Sequence, residues 1–141
     1  MKITIYTDGG SRGNPGEAAI GIVAKDLSGA DLYTQGRKIG IATNNEAEYQ
    51  AVLDALDWIA QPATQELLAN KNVKNVEWKL DSKLVVEQLS RRWKIKEPRM
   101  QVLATNAWEK ISKLPLVMTF HHIPRSENAH ADALLNAALD A

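Results

Sequence analysis

The sequence predicts an α/β protein built on a mixed five-stranded sheet, with three antiparallel strands, then two parallel strands, and helices on both faces. The N-terminal third of the chain holds β-rich segments separated only by short turn signals. Helical patterns then alternate with two further β-rich segments. Strands joined by tight turns pair antiparallel, whereas strands joined by helical crossovers run parallel. This order of elements therefore favours a mixed sheet.

Three strands are expected first. Residues 2–8 (KITIYTD) alternate in polarity and reach a turn signal at residues 8–10 (Asp-Gly-Gly). Residues 18–26 form the second strand, and a Ser-Gly turn leads to a weaker third strand at residues 31–39. Hairpin connections of this kind predict an antiparallel meander.

Thr43 begins the first helix, because the spacing Thr43-x-x-Glu46 fits a capping box and small or apolar residues then recur with helical spacing. This helix is expected to end near residues 61–62, whereas residues 63–74 are ambiguous. The remaining elements are expected to be a strand at 75–80, a helix at 82–90, a helix at 98–113, a strand at 116–123 and a helix from 126 onward.

Composition excludes several classes of protein. The 141 residues fit one domain, expected to span 1–141, and 45% hydrophobic with 24% charged residues is ordinary globular usage. The absence of cysteine excludes a disulfide framework and a thiol nucleophile. No signal peptide or membrane-spanning segment is evident, so a cytoplasmic location is expected. Equal numbers of acidic and basic residues, 17 each, argue against a strongly basic protein that coats nucleic acid.

Four acidic residues are expected to converge. Asp8 and Asp81 follow the first and fourth strands, whose carboxyl ends meet at one sheet edge if the strands are parallel neighbours. Glu48 and Asp132 lie near the starts of the first and last helices, which could face that edge. Two carboxylates ~4 Å apart repel by about 4 kcal/mol at an effective dielectric of 20. Oxygen-only ligands of this kind suit Mg²⁺ or Mn²⁺.

Each of these acids also has an ordinary structural interpretation. An aspartate at a strand end commonly forms a turn. Glu48 could cap the helix with Asn45, and Asp132 could interact with the helix dipole. The metal-site hypothesis therefore depends on the coincidence of four placements.

Four segments carry a family resemblance: residues 6–16 (YTDGGSRGNPG), 43–49 (TNNEAEY), 80–85 (LDSKLV) and 123–134 (IPRSENAHADAL). In this order and spacing they resemble type I ribonuclease H, in the subgroup that lacks the basic protrusion and the loop histidine. The resemblance implies the ribonuclease H-like fold. It also implies an endoribonuclease that hydrolyses the RNA strand of an RNA/DNA hybrid and leaves 5′-phosphate and 3′-hydroxyl ends.

The resemblance also implies the catalytic and metal-binding residues. Two Mg²⁺ ions per site are expected, with Mn²⁺ also supporting activity, and the family's four ligands correspond to Asp8, Glu48, Asp81 and Asp132. The counterpart of Asp8 bridges the two ions. Glu46 is a rival for Glu48, but the family spacing selects Glu48 and leaves Glu46 as the cap.

Substrate-binding residues follow from the same resemblance. A hybrid differs from DNA by the 2′-hydroxyl groups displayed in its minor groove, which short polar side chains and bare backbone can contact. The family's groove-contacting positions correspond to asparagines here, and a matching threonine seats a DNA phosphate. The alternative is that these residues only form a turn and a helix start. The expected contacts are Gly9, Gly10, Asn14, Thr43, Asn44 and Asn45.

Residues 91–99 (RRWKIKEPR) hold five of the 17 basic side chains. Trp93, Lys94 and Lys96 suit a channel for the DNA strand, because an aromatic surface accepts sugars or bases and cations accept phosphates. A solvated loop with Trp93 packed on the core is an equal alternative. The other tryptophans are expected in the core.

The chain departs from the best-known bacterial members in two places. The long basic protrusion is compressed to residues 91–99, so weaker hybrid affinity is expected. The loop before Asp132 contains Arg125 and no histidine. Arginine cannot transfer protons near neutral pH, but it can hold a phosphate. The three histidines are expected to be mainly structural.

Two other classes of function compete, a binding module and a nuclease of the exonuclease or transposase type. A non-catalytic nucleic-acid-binding module would not need the carboxylates. A proofreading exonuclease typically has Asp-x-Glu on the first strand, and a transposase typically ends its acidic set with glutamate, whereas this chain has Asp8-Gly9-Gly10 and Asp132. An RNA/DNA hybrid is the expected partner, with no membrane, and the protein is expected to be a monomer.

Overall fold

A computed structural model describes residues 1–141, and it contains one five-stranded sheet and five α-helices. The strands are β1 (Lys2–Gly13), β2 (Gly16–Lys25), β3 (Asp31–Ala42), β4 (Asn75–Leu80) and β5 (Val117–His122). The helices are α1 (Asn44–Ala60), α2 (Pro62–Asn70), α3 (Lys83–Leu89), α4 (Pro98–Ser112) and α5 (Ala129–Asp140), and a 3₁₀ turn at Arg125–Glu127 precedes α5. No helix has both the length and the apolar character needed to cross a membrane.

The sheet has the expected mixed topology. Its strand order is β3-β2-β1-β4-β5. The β1–β2 and β2–β3 pairs are antiparallel, and the β1–β4 and β4–β5 pairs are parallel. The strands that follow helical crossovers are therefore parallel to β1, as predicted, and the mixed five-stranded sheet is confirmed.

Three boundaries differ from the predictions by three residues or more. One is the end of β3, which lies at Ala42 and not at residue 39, because β3 stays paired with β2 as far as the Gly16–Ala42 register. The first strand does not end at residues 8–10, because β1 stays paired with β2 as far as the Gly13–Gly16 register, and the hairpin turn lies at Asn14 and Pro15. The ambiguous segment after the first helix contains α2, which begins with a proline that needs no backbone donor there. The last helix begins at Ala129, later than residue 126, because the 3₁₀ turn occupies residues 125–127.

The main core lies between the sheet and α1, α3 and α4. Ile3 and Ile5 of β1 and Trp78 of β4 are fully buried there with Tyr49 of α1. A smaller cluster lies between α5 and β2 and consists of Ala19, Leu135 and Leu139. The core prediction for the other tryptophans is confirmed, since Trp58 and Trp78 are buried and Trp108 packs against the core while partly exposed.

Two glycines allow helices to approach the sheet closely. A Cβ atom on Gly9 would lie 2.2 Å from the backbone of Ala47 in α1, and one on Gly21 would lie 1.9 Å from the carbonyl oxygen of Ala131 in α5. The two glycines belong to opposite faces of the sheet, because Gly21 pairs with Asp8, the neighbour of Gly9. Helices α1 and α5 therefore pack on opposite faces, and each carries an acidic residue directly after its contact point.

Candidate active site

The four predicted carboxylates line a single cavity of about 430 Å³. Asp8 and Asp81 are brought together by the parallel β1–β4 pairing, in which the preceding residues Thr7 and Leu80 are partners. Glu48 enters from the second turn of α1, and Asp132 from the first turn of α5. Acids from four separate stretches of the chain thus face one space.

Three of the four form a tight group. One carboxylate oxygen from each of Asp8, Glu48 and Asp81 lies within 4.8 Å of the other two. Asp132 stands outside this group, but it is close enough to hydrogen-bond with Asp8 and to raise the pKa of that carboxyl. Asn136, one turn further along α5, donates through Nδ2 to the Oδ2 atom of Asp132 at 3.3 Å.

Burial and crowding favour the protonated form of two of these acids. Burial is the main cause that raises the pKa of Asp8 to about 7; a hydrogen bond with Glu48 opposes it, and the charges of Asp81 and Asp132 add to it. The pKa of Glu48 is raised well above its usual range, first by burial and then by the charge of Asp8. In such a site the ionised carboxylates are unfavourable by themselves, and a bound cation would compensate their negative charge.

The donor set fits a hard divalent cation. The Oε2 atom of Glu48 is buried and has no hydrogen-bond partner in the protein. An unpartnered buried carboxylate oxygen is costly unless it is protonated or bound to a cation. All the available donors are carboxylate oxygens, as Mg²⁺ and Mn²⁺ prefer, and none is a thiolate or imidazole.

The rivalry between the two glutamates of α1 is resolved by hydrogen bonds. The Thr43 Oγ1 atom accepts from the Glu46 backbone N–H at 3.1 Å, and the Thr43 N–H donates to Glu46 Oε1 at 2.9 Å. This is the predicted capping box. Glu46 is therefore committed to the helix start, whereas Glu48 is buried in the cavity and does not cap Asn45.

The residues expected to contact the substrate surround the carboxylates on one side. Gly9, Gly10, Asn44 and Asn45 line the carboxylate cavity itself. Asn14 and Thr43 line an adjoining cavity that shares Asn44 and Asn45.

Hydrogen bonds hold the asparagines in place. The Asn44 backbone N–H donates to Asn14 Oδ1 at 3.0 Å, and the Ser11 N–H donates to Asn44 Oδ1 at 2.9 Å. Asn14 and Asn44 are both exposed, and their side-chain amide N–H₂ groups have no partner in the protein. These donors are thus fixed in position and free to bind a ligand.

Arg125 also lines the carboxylate cavity, and it is exposed and forms no ion pair. It comes from the 3₁₀ turn before α5. A guanidinium at this place adds positive charge to a cavity otherwise dominated by acids.

The basic segment 91–99 lies outside the carboxylate cavity. Trp93 and Lys94 line a separate surface pocket, and Lys96 is exposed but lines neither. Trp93 is 45% exposed, so it is not packed into the core. Two of the arginines are already engaged: Arg92 forms a two-pronged ion pair with Glu87, and Arg91 stacks on Trp108 at 3.8 Å.

Sequence reasoning missed several residues of the site. Asn128 is buried and donates to the Thr7 carbonyl and to the Asp81 carboxylate, and Arg12 and Ser82 line the carboxylate cavity. A signal was available for Asn128, which lies in the segment 123–134 that carries the family resemblance. Arg12 lies in the resembling segment 6–16, but the strand was expected to end before it, so its place beside the acids was not predicted.

Comparisons with known proteins agree with this architecture. A family model described as "Reverse transcriptase-like" matches residues 6–138. The structure of RNase H1 from Halobacterium salinarum is 37% identical, covers 99% of this chain and 98% of that chain, and superposes with a TM-score of 0.84. A compost-derived enzyme, LC11-RNase H1, solved in complex with an RNA/DNA hybrid, is 40% identical over 98% of this chain and 96% of its own, with a TM-score of 0.87.

The mycobacterial relatives are longer proteins. The bifunctional protein Rv2228c of Mycobacterium tuberculosis is 38% identical across the whole of this chain, which corresponds to 36% of that protein. The chain thus spans about a third of the length of the mycobacterial proteins it matches.

Proposed function

The chain belongs to the type I ribonuclease H-like family, and on that basis we propose that it is an endoribonuclease that cleaves the RNA strand of RNA/DNA hybrids. One observation carries this proposal: carboxylates from four distant segments line one cavity, beside fixed amide donors and bare glycine backbone. The hybrid bound by the LC11 enzyme supports the choice of substrate. Residues 1–141 would form one catalytic domain that acts as a monomer.

Asp8, Glu48, Asp81 and Asp132 are the proposed catalytic and metal-binding residues. They would hold two divalent cations, Mg²⁺ or in its place Mn²⁺, because they offer only oxygen ligands and crowd negative charge that needs compensation. The chemistry that such ions supply is a water molecule of lowered pKa for in-line attack on phosphorus and positive charge at the leaving 3′-oxygen. Attack of water on phosphorus with departure of the 3′-oxygen leaves 5′-phosphate and 3′-hydroxyl ends.

The chain's own residues would orient the hybrid over these acids. The free amides of Asn14, Asn44 and Asn45 can donate to groove atoms and 2′-hydroxyls, which distinguish RNA from DNA. Gly9 and Gly10 line the cavity beside Asp8 and are proposed to contact the RNA strand there. The side of Gly9 that lacks a side chain lies against α1, so Gly10 offers the more open backbone.

Two regions would hold the phosphate backbone. The hydroxyl of Thr43 accepts one hydrogen bond within the capping box and keeps its own proton to donate to a DNA phosphate. Trp93, Lys94 and Lys96 form the proposed contact with the DNA strand further along. Arg125 would bind a phosphate near the acids, since it cannot serve as a proton donor or acceptor.

The test is cleavage of an internally placed RNA label in a hybrid whose ends are blocked, with all-RNA and all-DNA duplexes alongside. We expect cutting of the hybrid only, with Mg²⁺ or Mn²⁺, and none with EDTA. The matched control is Asp8→Asn, which should bind the hybrid and not cut it.

Each competing function has its own outcome in this test. Cutting of the all-DNA duplex would indicate a transposase-type nuclease. Cutting that requires a free end would indicate an exonuclease. Tight binding without cutting under any metal would indicate a non-catalytic module.

A further inference from the structure

Arg12 lies on the same face of β1 as Asp8, four residues further along the strand. The two Cα atoms are therefore separated by roughly 13 Å, at the usual rise of a strand. Arg12 lines the carboxylate cavity. Its side chain is 49% exposed, and Nη2 lies 2.6 Å from Oδ1 of Asp140 at the end of α5.

Helix α5 runs alongside this part of β1. Leu135 lies against Gly10, and a Cβ atom on that glycine would be 3.6 Å from its Cδ1 atom. Asp132 and Asp140 are eight residues apart on α5, which is roughly 12 Å in a helix. The carboxylate cluster and the Arg12–Asp140 pair therefore lie at two ends of the same groove between β1 and α5.

A nucleic-acid strand that reaches Asp8 and continues along this groove meets the Arg12–Asp140 pair a few nucleotides from the cleaved bond. Asp140 would repel its phosphates, whereas the guanidinium of Arg12 can bind one through two parallel hydrogen bonds. The ion pair between the two is exposed, and such pairs contribute little to stability. Exchange of the Asp140 carboxylate for a phosphate is therefore easy.

We propose that Arg12 is an additional phosphate-binding residue for the hybrid, and that Asp140 competes with the substrate for it in the free protein. This inference rests on the function proposed above. It concerns residues outside the four acids, so it can fail while that function stands.

The test compares Arg12→Ala, Asp140→Asn and the double variant in steady-state cleavage of a hybrid at several salt concentrations. Arg12→Ala should raise KM roughly fivefold with kcat nearly unchanged, and it should lower the salt slope of binding by about one, as expected for one lost phosphate contact. Asp140→Asn should lower KM by roughly a factor of two, because it frees the guanidinium. In the Arg12→Ala background its effect should be smaller, because only the direct repulsion between Asp140 and the phosphates is then relieved.

A matched ion pair provides the control. Lys110 Nζ and Asp57 Oδ1 are also 2.6 Å apart and similarly exposed, and neither residue lines the carboxylate cavity. Lys110→Ala and Asp57→Asn should leave KM and the salt slope unchanged.

Three results would overturn the inference: an unchanged KM in Arg12→Ala, a raised KM in Asp140→Asn, or equal effects of Asp140→Asn with and without Arg12. A wild-type protein that cuts no hybrid would instead overturn the proposed function. In that case hybrid binding by the same variants, measured directly, still decides whether Arg12 contacts a phosphate.

Discussion

The side-chain amide of Asn128 donates to the carboxylate of Asp81, with Nδ2 and Oδ2 3.3 Å apart. The same amide donates to the backbone carbonyl of Thr7 at 2.9 Å. Thr7 directly precedes Asp8, and Asn128 is only 1% exposed. One buried amide thus connects the start of α5 to the middle of β1, next to Asp8, and to Asp81 at the end of β4.

Replacing Asn128 with alanine should therefore affect both stability and activity. The variant leaves the buried Thr7 carbonyl without its partner and should lower the free energy of unfolding by about 2 kcal/mol. It also frees Asp81 to rotate, so kcat and the affinity for Mn²⁺ should both fall. Denaturant unfolding and calorimetric Mn²⁺ titration measure the two effects.

The control for Asn128→Ala is Gln65→Ala. Gln65 Nε2 donates to the carbonyl of Ile59 at 2.6 Å, and neither residue lines the carboxylate cavity. Its loss should lower stability without changing Mn²⁺ affinity. Equal Mn²⁺ affinity in Asn128→Ala and wild type would show that Asn128 has no part in orienting Asp81.

The stability of the metal-free protein should depend on pH through Asp8. Its pKa is raised to about 7 in the folded protein, mainly by burial, against a usual value of 3.8. The folded state therefore holds a proton that the unfolded state has already lost in this range. The stabilisation that this proton gives is complete below pH 4 and is lost as the pH rises through 7; Glu48 acts in the same direction.

Asp8→Asn removes this contribution. In EDTA at pH 8 the variant should be more stable than wild type by roughly 2 kcal/mol, since each pKa unit corresponds to about 1.4 kcal/mol and the site relaxes in part. At pH 4 the difference should shrink. Denaturant unfolding at both pH values measures it, and added Mn²⁺ should stabilise only the wild type strongly at pH 8. A difference that does not change with pH would contradict the burial of a titrating Asp8.

The sequence predicted the elements with strong periodicity and the contacts that follow from chain connectivity. The crossover rule alone brings Asp8 and Asp81 to one edge, and the Thr43–Glu46 spacing alone identifies the cap. The extent of β1 beyond residue 8 was not predictable, because a glycine-rich stretch fits a turn as well as a strand. Its pairing with β2 decides the matter, and that pairing is a tertiary property.

Residues whose role depends on close packing could not be predicted from the sequence either. Gly21 has no motif around it, yet its missing side chain lets α5 approach the sheet. The groove role of Arg12 depends on where α5 lies, and no local pattern reports that. Asn128 was visible only as part of a motif, without its two partners.

Gly21→Ala should reduce activity more than its effect on stability explains. The added Cβ atom would meet the Ala131 carbonyl oxygen at 1.9 Å, so α5 must move, and Asp132 is the next residue. Overpacking of this kind costs about 1–3 kcal/mol. The control is Gly29→Ala, in a loop at φ 88° with open space around it, which should cost stability without loss of kcat. Equal kcat in both variants at a temperature where both are folded would contradict this account of α5.

Arg125→Ala should weaken cleavage without abolishing it. The residue lines the carboxylate cavity, and its guanidinium has a permanent charge and no proton to give near neutral pH. We expect a roughly tenfold fall in kcat/KM, equivalent to about 1.4 kcal/mol, an unchanged pH profile, and partial recovery in Arg125→Lys. Single-turnover cleavage over a pH series measures all three. A loss as complete as that of Asp8→Asn would mean that Arg125 takes part in the chemistry itself.

Lys94 and Lys96 should set part of the salt dependence of hybrid binding. Both are exposed and free of ion pairs, and exposed Trp93 adjoins Lys94, whereas Arg92 is held by Glu87. Each alanine variant should lower the salt slope by about one if its ammonium neutralises one phosphate. Binding is measured in the Asp8→Asn background, so that the hybrid stays intact, with exposed Lys71, which lies outside this segment, replaced by alanine as the control. Slopes identical to that of the control would exclude Lys94 and Lys96 from the DNA-strand contact, since a counterion released on binding must appear in the slope wherever a lysine meets a phosphate.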